Sequence, residues 1–107
     1  MLKCVFRLGE FENAKSFSGF EISGHAGYGT EGSDIVCAAV SSCTMLVCNC
    51  ITESFGTKAE VRVEENRIVL HLEEPNEAAQ KLLSAFYEHL ETISADYKNV
   101  KLTIDDH

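Results

Sequence analysis

His25 and Cys37 stand at the two ends of a glycine-rich connector, and together they offer a base and a latent thiolate. A thiol needs a nearby base or an electropositive helix end to react at neutral pH. An imidazole, whose ordinary pKa lies near that pH, is the natural partner. Along this stretch, four of the seven glycines (24, 27, 29 and 32) fall within nine positions. Such a cluster supplies positive φ and leaves room for another backbone, so the connector can fold back and bring the two side chains together.

Two neighbours extend the pair. Asp34 either caps the helix that carries Cys37 or orients the His25 ring, as the third group of a triad does. If Asp34 is the cap, Cys37 is the third helical residue, where backbone N–H groups lack partners and favour negative charge. The same donors could form part of an oxyanion hole. Ser41 lies one turn beyond Cys37 on the same helix face. It can hydrogen-bond within the site or back-bond to the helix.

The remaining cysteines do not make a metal site. Cys43 and Cys48 point about 140° apart on a helix, and Cys43 and Cys50 are separated by about 10.5 Å of rise. One tetrahedral zinc needs its sulfurs about 2.3 Å away. Core packing is expected for these three and for Cys4. His71 reads as solvent-facing on a strand, His89 as lying off a helix's apolar stripe, and His107 is terminal. Gly27-x-Gly29-x-x-Gly32 formally matches a dinucleotide fingerprint, but no parallel βαβ unit follows it. No metal and no organic cofactor is expected.

The elements that must position these groups follow from periodicity. Leu2, Cys4, Phe6 and Leu8 alternate as a strand, residues 10–16 read as a polar connection, and residues 17–24 make a second strand ending at His25. Ser33 or Asp34 then opens a helix running to about Phe55, so apolar all round that it is expected to be covered on most sides. Ala59, Val61 and Val63 mark a third strand, Glu65-Asn66 a tight turn, and Ile68, Leu70 and Leu72 a fourth strand. Pro75 suits the first turn of a second helix, whose stripe runs from Ala79 through Leu82, Leu83, Phe86, Leu90 and Ile93 to Tyr97. Val100, Leu102 and Ile104 close the chain as a short strand. The order ββαββαβ predicts an α+β fold, two helices packed with a mainly antiparallel sheet.

A chain of 107 residues, 45% of them hydrophobic, is expected to form one domain over residues 1–107. Five cysteines without a secretion signal read as free thiols in a reducing cytoplasm. The net charge of −8 argues against direct nucleic-acid binding and favours a cationic partner. No 18-residue uncharged apolar run is expected, and hence no membrane span.

Gly24-His25-Ala26-Gly27-Tyr28-Gly29, followed by Gly32-Ser33-Asp34-Ile35-Val36-Cys37-Ala38-Ala39-Val40-Ser41, resembles the motif of the ribosomal-processing cysteine protease family, Prp. The match spans about 18 residues, with histidine, glycines, aspartate, cysteine and serine in register. The resemblance implies a cysteine endopeptidase with His25 and Cys37 as its dyad, and Asp34, Ser41 and Gly24 at further motif positions. It implies that Gly27, Tyr28, Gly29, Gly32 and Ser33 form a mobile loop beside which substrate enters. The implied substrate is the precursor of a large-subunit ribosomal protein, the twenty-seventh of the L series, cut after an aromatic pair, and the implied assembly is a homodimer. Two other classes fit the same residues: an acidic module that docks the basic ribosomal protein without cutting it, and a thiol acyltransferase or deacylase.

Overall fold

The computed structural model describes residues 1–24 and 33–106, with Ser33 and Asp34 described by their backbone alone. Its elements are β1 (Leu2–Phe11), β2 (Ala14–Gly24), α1 (Ser33–Asn49, extended by a π-helical turn Cys50–Ser54), β3 (Ala59–Glu64), β4 (Arg67–Leu72), α2 (Glu77–Asp96) and β5 (Val100–Asp105). The strands form one sheet in the order β3-β4-β2-β1-β5, antiparallel except where β5 runs parallel to β1. This is the expected α+β architecture in the expected order.

Alternation puts Leu2, Cys4, Phe6, Phe20, Ile22, Ile68, Leu70, Leu72 and Val100 in one buried cluster with residues of both helices. The helices therefore share a face of the sheet. α2 contributes Ala79, Leu83, Phe86 and Leu90 to that cluster, with Leu82 and Ile93 half-buried beside it. Asn76, rather than Pro75, begins the helix: its side chain accepts the Ala79 N–H at 2.8 Å, and Pro75 precedes the cap.

Residues 10–16 are not a connection. β1 and β2 stay paired out to Phe11 and Ala14, and only Glu12 and Asn13 turn the chain, with φ of +52° and +65°. Positive φ at both central residues matches the twist of the flanking strands. Pairing carries the hairpin beyond the core, where alternating apolar residues no longer announce it. A bulge shifts the register between Arg7 and Leu8, so Ser18 is the extra residue on β2. Phe17 and Phe20 therefore reach the same side despite odd spacing, and Phe6 meets both rings, at 5.2 and 5.7 Å between centroids.

α1 is covered on one side only. Val36, Val40, Thr44, Val47, Cys48 and Ile51 are buried, whereas Ile35 and Leu46 are 75% and 63% exposed. Thr44 is accommodated because its hydroxyl donates to the Val40 carbonyl at 2.6 Å. The π turn hands the Phe55 N–H to the Cys50 carbonyl, and Gly56, at φ +61°, ends the helical path. Ile35–Ser54 also corrects the expectation of no long apolar run, since an 18-residue stretch within it reaches a mean hydropathy of 1.9. Its serines, threonines and asparagine interrupt the run without adding charge. The same length and hydropathy suit a core helix, and this one packs its buried stripe on the sheet.

Candidate active site

Where β2 ends, Gly24 pairs with Leu2, and its N–H donates to the Asn66 carbonyl of the β3–β4 turn at 2.9 Å. Its φ is +90°, and a Cβ there would lie 2.4 Å from the Met1 carbonyl oxygen. Glycine alone fits this position. The chain leaves the sheet towards His25 from a point clamped by two neighbouring segments.

Cys37 stands opposite, on α1. A cleft of about 340 Å³ opens between the helix and the end of the sheet. From the helix it is lined by Cys37, Ala38, Ser41 and Met45, and from the strands by Leu2, Ile22, Gly24, Val63 and Ile68. Glu64, Asn66 and Arg67 complete it at the β3–β4 turn. The cleft exists because α1 does not extend over β3, leaving Val63 60% exposed on the core-facing side of that strand. Arg67 brings no unpaired positive charge to it. Its guanidinium donates to Glu21 at 2.9 Å and to Glu64 at 2.8 Å, and these bonds, Glu21 first, raise its pKa.

Of the five free cysteines, Cys37 lines this cleft and is half-buried. Cys4 and Cys48 are sealed in the core, where burial pushes each thiol up to about 11. Burial raises Cys43 as well. Loss of solvation disfavours the thiolate, so these three groups are poor nucleophiles.

The helix start differs from expectation. α1 already includes Ser33, so Asp34 lies inside the helix rather than capping it, and Cys37 is its fifth residue, not its third. At that depth the Cys37 N–H can bond the Ser33 carbonyl, and the free amides belong to the preceding turn. Helical side chains lean towards the N-terminus, so the Cys37 side chain is still directed at that turn. The field of the helix end fades within a turn, which leaves more of the activation to a base.

Cys37, Ser41 and Gly24 thus meet at one cleft. His25, Gly27, Tyr28, Gly29 and Gly32 lie outside the described residues, as do the side chains of Ser33 and Asp34. The sequence alone did not single out Met45, although 37, 41 and 45 recur at steps of four on one side of α1. Val63, Asn66 and Ile68 were not legible there either, because only strand register brings them to the cleft. Phe20 lies away from the cleft, fully buried in the core.

The sequence model of the family described as cysteine protease Prp matches residues 1–101. The ribosomal processing cysteine protease Prp of Bacillus subtilis (strain 168) is 30% identical over 97 residues, covering 83% of this chain and 87% of that protein. A similar fold is found in the essential ribosomal processing protease Prp from S. aureus in complex with a substrate peptide. That match has a TM-score of 0.85 at 21% identity, over 98% of this chain and 100% of the other. The same protease with a covalently linked product peptide superposes with a TM-score of 0.83 at 23% identity, over 98% and 100% of the two chains.

Proposed function

The chain belongs to the cysteine protease Prp family, and from that premise we propose that it is the endopeptidase that removes the short N-terminal extension of a large-subunit ribosomal protein, the twenty-seventh of the L series. Cys37 is the nucleophile and His25 its base. One observation carries this reading: the half-buried Cys37 lines the same cleft as Gly24, the residue bonded to His25.

The chemistry then runs in two halves. His25 takes the Cys37 proton, and the thiolate adds to the scissile carbonyl. Backbone N–H groups in the opening turn of α1, which have no partners within the helix, meet the oxyanion. His25 returns the proton to the leaving amine as the C–N bond breaks, leaving a thioester on Cys37. Water, deprotonated by His25, resolves that thioester and frees the carboxylate and the thiol. Ser41 sits one turn below Cys37 in the cleft wall and supports the site from there. The chain works in the cytoplasm as a homodimer, and the exposed apolar side of α1, with Ile35 and Leu46, supports that assembly.

Incubating the protein with the ribosomal precursor and measuring intact masses tests the reading. Loss of the N-terminal peptide is the expected result. An unchanged precursor mass, with or without binding, or an added group overturns it in favour of a docking module or a transferase.

A further inference from the structure

We propose that Met45 and Val63 are specificity-determining residues, setting which side chain is accepted on the acyl side of the scissile bond. The inference rests on the proteolytic reading above. Cys37 forms one wall of the cleft, so the residue whose carbonyl it attacks must place its own side chain within a bond or two of that space.

The cleft's floor cannot adapt. Leu2, Ile22 and Ile68 are 2%, 3% and 9% exposed and belong to the core, so they fix the depth. The walls are different. Met45 is half-buried two turns below Cys37, and Val63 is open to solvent on the core-facing side of β3. They are the large apolar groups of the cleft that still have surface for a guest to cover.

A volume of about 340 Å³ lies at the small end of ligand pockets, suited to one side chain and its flanking backbone. Met45 can flex around an irregular guest, while β-branched Val63 is stiff and sets a limit. At the charged rim Arg67 and Glu64 already pair with each other at 2.8 Å. The chemistry that fits is a large apolar side chain, aromatic or long aliphatic, and burial of an unpaired charge is disfavoured.

The test uses two peptides that span the precursor's cleavage site and differ only in carrying Phe or Ala before the scissile bond. The wild-type protein is expected to favour Phe in kcat/KM by about tenfold or more. Val63→Trp, which occupies the cleft from an exposed position, and Met45→Ala, which removes its adaptable wall, are each expected to narrow that ratio to about threefold or less, with Val63→Trp melting like the wild type. A ratio unchanged in both variants would overturn the assignment of Met45 and Val63 while leaving proteolysis standing. A wild-type protein that cuts neither the peptides nor the intact precursor would instead remove the proteolytic reading, and this inference with it.

Discussion

At the scale of single residues, burial separates five chemically identical thiols: Cys37 faces a cleft, Cys4, Cys43 and Cys48 pack in or against the core, and Cys50 is half-buried outside that cluster. Cys37→Ala should abolish precursor cleavage while shifting the melting temperature little, since Cys37 sits at the edge of the core. Intact-mass analysis and a thermal melt check both halves of that expectation. His25→Ala should also inactivate, with residual cleavage rising as pH rises and the thiol ionises unaided. Cys4 and Cys48 make a separate prediction. Their folded pKa of about 11 exceeds the ordinary value of 9.0, so the folded state holds protons that the unfolded chain gives up first. Stability from these groups is intact below about pH 9 and is lost as pH rises towards about 11. Urea melts across that window should show the decline, and a Cys4→Ala, Cys48→Ala double variant should show less of it. Gly24→Ala combines a φ of +90° with a Cβ 2.4 Å from a carbonyl oxygen. It should cost about 2 kcal/mol or more, read as a fall in urea midpoint.

At the scale of elements, the site depends on how strands end and how they are joined. Ser18 is a bulge that changes the phase of β2, and the Gln80 side chain from α2 ties down the adjoining backbone. The Phe17 N–H donates to Gln80 Oε1 at 2.9 Å, and Gln80 Nε2 donates to the Phe17 carbonyl at 2.8 Å. Gln80→Ala should therefore destabilise the fold by about 1–3 kcal/mol by leaving two part-buried backbone groups unpaired. A wild-type melting curve for that variant would show the bond pair to be dispensable. None of this is visible in the alternation of residues 10–20, which is why the hairpin read as a polar connection. α2 was legible except at its ends, where Pro75 precedes the cap and Tyr97 lies exposed beyond the last turn, since one buried stripe at steps of three and four leaves little freedom. α1 misled for the opposite reason: apolar residues on every side do not say which side a neighbour will cover.

Across the whole molecule, the acidic balance and the bare side of α1 have separate consequences. A net charge of −8 should speed encounter with a basic precursor. kcat/KM for that substrate is then expected to fall several-fold between about 50 and 500 mM salt, while kcat changes little. A salt-independent kcat/KM would leave the charge as ordinary surface solvation. Ile35 and Leu46 are 75% and 63% exposed on a helix whose other side is core. An Ile35→Glu, Leu46→Glu double variant should sediment as a monomer if that side joins two copies, and persistence of a dimer would place the interface elsewhere.

Residue types and their spacing were enough to nominate Cys37 and His25 as thiol and base, and to give the order of the elements and most of the stripe of α2, because these rest on local chemistry and short-range periodicity. Three things came only from the tertiary structure: that α1 stays bare on one side, that the β3–β4 turn holds Gly24, and that Val63 and Met45 share a cleft with Cys37. Each depends on contacts between segments far apart in the chain. Which helix side is covered and which strand ends meet is decided by packing and register together, and no local pattern encodes either.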